Sequence, residues 1–173
     1  MKLEWRNGIP LKSVDLIDEY EAKVNFKFPE SFRNLVISNN GACPTKMVFD
    51  TEKEEGRVFH YLVSFNREDE NNMFDYYDWA SEDDFEELGK TYVEFASSVF
   101  GDPIAFDPET GYVIFVDHET SQVELIAKTF DEFLDKLRPL DGEEDTDNDM
   151  PEQTSAPSAE RKSIFSFFKK KDQ

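Results

Sequence analysis

At 173 residues the chain is long enough for one domain with a sizeable core and too short for two of ordinary size. Its formal charge of −20 and pI near 4.3 set it against nucleic-acid phosphates and anionic lipid surfaces and favour a basic partner. A single cysteine, Cys43, excludes an internal disulfide framework, and no stretch approaches the roughly 18 consecutive apolar residues of a membrane span. Glu4 and Arg6 stand where a secretory leader would be apolar, so a cytoplasmic setting is expected.

In chain order, Ser13 is positioned to cap a first helix running to about Asn25, with Val14, Ile17, Tyr20 and Val24 on one face. Pro29 suits the first turn of a second helix, Phe32, Leu35 and Val36 give it an apolar face, and Asn40-Gly41 stops it. From Met47 the period changes. A short strand at Met47 to Asp50 and a longer one at Arg57 to Phe65 follow from their β-branched and aromatic content. Asn66 to Asp78 reads as polar and acidic, and Ser81 precedes a short acid-rich helix to about Lys90 that contains Phe85 and Leu88.

The clearest strand signals are Ile104 to Phe106, Tyr112 to Val116 and Val123 to Ala127, the first two separated by the turn Asp107-Pro108-Glu109-Thr110-Gly111. They form an antiparallel meander. Thr129 and Glu132 then make a capping box for a closing helix with Phe130, Phe133, Leu134 and Leu137 on its inner face. The expected class is α+β, a mostly antiparallel sheet with helices packed against it, over residues 1–140. Residues 141–160 carry eight acidic and no basic residues and almost nothing apolar, so residues 141–173 are expected to be a disordered acidic linker ending in a Phe/Lys-rich peptide. The nine acidic and five basic residues of that tail leave a charge of −16 on residues 1–140.

Catalytic patterns are scarce. His60 and His118 read as partly buried strand residues, His118-Glu119 is not a helical zinc motif, and the seven glycines are too scattered for a phosphate loop. Asp102, Asp107 and Asp117 flank strands and are candidates for a divalent cation, though such residues more often end strands and start turns. A hydrolase with Asp102 and Asp117 as its carboxylate pair would need both side chains in one cleft. Neither a catalytic residue, a metal site nor a cofactor is assigned from these patterns.

Three blocks carry a resemblance. Phe28 to Ala42 (FPESFRNLVISNNGA), Phe100 to Glu119 (FGDPIAFDPETGYVIFVDHE) and Ile126 to Leu137 (IAKTFDEFLDKL) resemble, in this order, segments of the SUKH superfamily, which includes cell-wall assembly regulators and bacterial toxin-immunity proteins. The resemblance implies a non-enzymatic intracellular binding domain that neutralises a cognate toxin domain, often a nuclease. Gly101-Asp102 is then a fold marker. The alternative within the family is a regulatory adaptor that binds protein partners.

A basic nuclease is the partner that a domain at −16 would attract. The partner-binding face is expected in the most acidic stretch, at Glu68, Asp69, Glu70, Asp75, Asp78, Glu82, Asp83, Asp84, Glu86 and Glu87, with Tyr76, Tyr77 and Trp79 as interleaved rings. A solvated acidic loop pinned to the core by its rings would have the same sequence.

Overall fold

The structure, a computed structural model, describes residues 2–80 and 92–140, and for 78–80 the backbone only. These residues belong to one compact unit, Met1–Glu143. The tail expected to be disordered and the helix expected at 81–90 lie outside the described residues.

The described elements follow in the order β1 (Trp5–Arg6), α1 (Asp15–Val24), α2 (Glu30–Asn39), β2 (Cys43–Pro44), β3 (Val48–Phe49), β4 (Arg57–Leu62), α3 (Met73–Ala80), β5 (Val93–Ser98), β6 (Pro103–Phe106), β7 (Val113–Val116), β8 (Val123–Ala127) and α4 (Phe130–Lys136). Strands β3 to β8 form one antiparallel sheet in sequence order, and β1 pairs with β2. The class is α+β, as the periodicity predicts.

The sheet is strongly curled. Four strand spacings separate β3 from β7, about 19 Å if the sheet were flat, yet the rings of Phe49 and Phe115 lie 6.2 Å apart. Arg57 on β4 likewise reaches Glu124 on β8 at 3.1 Å. Irregularities in the ladders between β4 and β5, β5 and β6, and β7 and β8 supply the bend.

Aromatic side chains from the helices and from the sheet itself fill the concave side. Phe32 of α2, Phe95 of β5, Phe106 of β6 and Phe130 of α4 stack on one another at centroid distances of 4.6 to 6.0 Å. Fully burying such a ring stabilises a fold by roughly 1.5–3 kcal/mol. Ala105, Ile114 and Val116 form a smaller cluster on the reverse face of β6 and β7, with Tyr92 against it.

Helix ends obey local chemistry with small departures from expectation. The Ser13 hydroxyl accepts the Asp15 N–H at 3.2 Å, so α1 starts two residues later, and Asn25 closes it at φ +52 with its N–H on the Glu21 carbonyl. Asn40 itself is extended, and the left-handed stop after α2 falls on Gly41. In the capping box of α4 the Thr129 hydroxyl accepts the Glu132 N–H, whereas the Glu132 carboxylate takes the N–H of Lys128.

Four elements were not foreseen, among them the two-residue strands β1 and β2. Helix α3 occupies part of the stretch read as polar coil, and β5, rich in small polar residues, is a central strand. The strand expected to reach Phe65 stops at Leu62, because Ser64 and Asn66 turn into a hydrogen-bonded loop. Neither histidine is a partly buried strand residue: His60 is exposed on β4, and His118 is exposed in the turn after β7.

Buried charge ties α1 to the start of α2. Glu21 is buried and accepts from Lys27 at 2.6 Å, from Arg33 at 2.8 Å and from the Phe28 N–H at 3.0 Å. Burial alone would raise its carboxyl, but these donors together outweigh burial and hold it below the usual carboxylate range.

Candidate functional site

The acidic stretch begins where β4 ends. Buried side chains anchor it: Asn40 Nδ2 donates to Ser64 Oγ at 2.8 Å, Asn40 Oδ1 accepts the Phe65 N–H at 2.8 Å, and Asn66 Nδ2 reaches the Pro10 carbonyl at 3.1 Å. Asp69 accepts from Ser64 and Asn66, and this carboxylate is therefore part of the anchor. Asn72 caps α3. Its Oδ1 accepts the N–H groups of Phe74 and Asp75, and its Nδ2 donates to the Arg67 and Asp69 carbonyls and to Asp75.

The described rings of this stretch turn inward. Phe74 is buried edge-on against Tyr20 with the Arg67 guanidinium 3.6 Å over its face, and Tyr77 also lies edge-on to Tyr20. Tyr76 is half-buried, donates to Asn71 Oδ1 at 3.2 Å and meets the Tyr61 hydroxyl at 3.4 Å; burial raises its pKa above the ordinary tyrosine value. Glu68, Glu70 and Asp75 remain exposed, with Glu68 paired to Lys12 and Asp75 accepting from Asn72. The side chains of Asp78 and Trp79 and all of Glu82, Asp83, Asp84, Glu86 and Glu87 lie outside the described residues.

At the opposite end of the sheet three turns gather: residues 51–56 between β3 and β4, 99–102 between β5 and β6, and 117–122 between β7 and β8. Sequential antiparallel order requires this, since the links after β3, β5 and β7 all leave from one end. The β5–β6 turn is tightly braced. Ser98 Oγ accepts the N–H groups of Phe100 and Asp102 and donates to Asp102 Oδ2 at 2.9 Å, while Gly101 takes φ +89. Asp102 is buried, and its other oxygen accepts the His118 N–H at 3.3 Å and lies 2.6 Å from His118 Nδ1. One carboxylate thus joins two turns. The Phe100 ring stands 80% exposed at the tip.

Serine, aspartate and histidine side by side invite comparison with a hydrolytic triad, but the wiring differs. A triad places histidine between the other two so that it can take the serine proton; here aspartate sits in the middle and the serine proton already points at it. Nor are Asp102 and Asp117 free to work as a carboxylate pair, since Asp102 is taken up by Ser98 and His118. Asp117 accepts the Glu119 and Thr120 N–H groups of its own turn, and these bonds, Thr120 foremost, lower its pKa. A general acid would need the reverse. Two clefts, of about 300 and 420 Å³, are lined by other residues, among them Arg138 and Leu140 in one and Trp5 and Ile37 in the other. Among the described residues no group of three His, Cys, Asp or Glu side chains is placed to hold a metal ion, and no helix is long and apolar enough to cross a membrane.

The arrangement is therefore one of surfaces: a charged stretch at one end of a curled sheet and a braced aromatic tip at the other. No curated protein matches the sequence. The sequence profile of the SMI1 / KNR4 family (SUKH-1) does, over residues 13–136, from Ser13, two residues ahead of α1, to the last residue of α4. That span takes in both anchored ends of the sheet and the helices behind it, and the chain belongs to the SMI1 / KNR4 family (SUKH-1).

Proposed function

We propose that this domain is a non-enzymatic, intracellular immunity protein that binds and neutralises a cognate toxin domain, a basic nuclease being the partner its charge favours. The observation that carries the reading is a SUKH-1 domain with a charge of −16 on residues 1–140. A nuclease domain that grips phosphates must be basic, so a strongly acidic inhibitor gains both encounter rate and selectivity from opposite charge. Supporting it, in the described part of the acidic stretch Glu68, Glu70 and Asp75 meet solvent beyond the buried anchor of Asn40, Asn66 and Asn72. These carboxylates are the steering part of the partner-binding face.

The test is binding to the protein encoded by the adjacent reading frame. Association should slow as salt shortens the Debye length from about 10 Å at 0.1 M to about 3 Å at 1 M. Replacing Glu68, Glu70, Glu86 and Glu87 by Gln should lower the on-rate about tenfold at low salt while dissociation changes little. An association rate indifferent to salt and to these substitutions would remove the acidic stretch from the reading, and failure of the two proteins to bind would remove the reading itself.

A further inference from the structure

The acidic stretch can steer a partner, but its described rings face the core. Charge at the rim of a contact sets rate and selectivity, whereas a few well-packed aromatic side chains carry most of the affinity. The large apolar side chains that meet solvent among the described residues are Val14, Ile37, Val99, Phe100, Val123 and Leu140. Only Phe100 is aromatic, and it is the most exposed of them.

We infer that the β5–β6 turn, with Phe100 at its tip and Val99 beside it, is the apolar anchor of this domain, seating its ring in a pocket of a basic protein partner whose rim carries lysine or arginine. This rests on the reading of the partner given above.

Three observations support the anchor. The first is rigidity. Ser98 N–H donates to the Asp102 carbonyl at 2.9 Å and Gly101 N–H to the Ser98 carbonyl at 3.1 Å, in addition to the side-chain bonds of Ser98. Asp102 then fastens the turn to His118 in its neighbour. A loose loop would fold such a ring back onto the surface; this one presents it already ordered, so less conformational entropy is lost on binding.

The second is the charge around the ring. The three turns at this end carry Glu52, Glu54, Glu55, Asp102, Asp117 and Glu119 against Lys53 alone. Lys53 is engaged by Gln122, and Arg57 at the start of β4 is engaged by Glu54 and Glu124. An aromatic tip within a negative rim selects an apolar pocket with a cationic rim and disfavours both acidic surfaces and a second copy of this chain.

The third is distance. The tip and the acidic stretch lie at opposite ends of β4, whose six residues span about 20 Å. A standard interface of about 800 Å² per partner is roughly 30 Å across, so one partner is large enough to be steered by one end and anchored by the other.

The experiment uses the full chain and the protein encoded by the adjacent reading frame, with association and dissociation measured separately. Phe100→Ser should raise Kd about 30-fold or more, chiefly through faster dissociation. The melting temperature should hold, because the ring lies outside both apolar clusters of the fold. Phe100→Leu should retain most of the affinity. Unchanged Kd in Phe100→Ser, or a loss confined to the association rate, overturns the anchor and leaves the immunity reading standing. Failure of the wild-type chain to bind that protein overturns the immunity reading and the anchor with it.

Discussion

Where β4 runs out into residues 63–72, the chain is secured by side-chain amides: Asn40 after α2, Asn66 reaching Pro10, and Asn72 capping α3. The other end of the same sheet is closed by short turns that mostly satisfy their own backbone groups. The contrast is sharpest between two turns of similar sequence. Asp107-Pro108-Glu109-Thr110-Gly111 joins β6 to β7 at the first end, and Asp117-His118-Glu119-Thr120-Ser121 joins β7 to β8 at the second. In each the aspartate side chain accepts the N–H two residues on, the fifth residue is left-handed, and its N–H returns to the aspartate carbonyl at 2.8 Å. They differ at the second position. Proline there makes a self-contained turn, whereas histidine reaches Asp102 and couples two turns. One backbone design thus serves as a plain reversal at one end and as a brace at the other.

The largest expected effect probes the amide-secured end. Asn72→Ala removes a helix cap and three donor contacts from a fully buried site, and should destabilise the domain by about 3 kcal/mol, measured by chemical denaturation. The brace should be weaker: Asp102→Ala, which releases Ser98 and His118 together, should cost about 2 kcal/mol. If Asp102→Ala costs the more, the short turns and not the amide network limit stability.

Smaller effects separate the paired turns. A Cβ at Gly111 would meet no atom within 4 Å, so Gly111→Ala tests backbone conformation alone at φ +73 and should cost about 1 kcal/mol. Ser121 already bears that strain at φ +58, so Ser121→Gly should gain stability, by a few tenths of a kcal/mol to about 1.

The last comparison is of sign with pH. Asp117 has a lowered pKa, so its contribution is present above the unfolded value near 3.8 and is lost as pH falls through the folded one. Glu94, on β5 toward the α3 end, shows the opposite. It is half-buried beside Tyr92 and lacks a cationic partner among the described residues, and burial pushes its carboxyl up to about 8. Stability should therefore fall as pH rises from about 4.5 to about 8. Glu94→Gln should raise the melting temperature at pH 8 and leave it nearly unchanged at pH 4; an equal change at both would mean that Glu94 is not titrating against burial.

Much of this frame could be read from the residues. Helices α1, α2 and α4 and strands β6, β7 and β8 declare themselves by apolar period and by caps such as Thr129. Helix α3 did not, because MFDYYDWA places rings on several faces and its cap, Asn72, is half of an Asn-Asn pair in a polar run. Strand β5 hid for another reason: Ser97 and Ser98 are buried through pairing with β4 and β6, which no local pattern encodes. The charge of the acidic stretch was legible, but the inward direction of Tyr76 and Tyr77 was not. Nothing local separates Phe100 from the other phenylalanines of a chain with 17, since exposure is decided by where the rest of the fold lies.

Arg138 does more than follow α4. Its N–H and carbonyl both bond to Val48 at 2.9 Å, which pairs the outer edge of β3 with the end of the described chain. In kinetic language we expect this to be a late event. The hairpins from β5 to β8 join neighbours close in sequence, whereas bringing Arg138 to Val48 closes a loop that contains almost every other element and forfeits its entropy in one step. Until then β3 offers an unpaired strand edge to other chains. Weakening the Arg138 clasp would therefore leave the folding rate nearly unchanged and hasten unfolding, and the species it admits would be one prone to pair edge to edge.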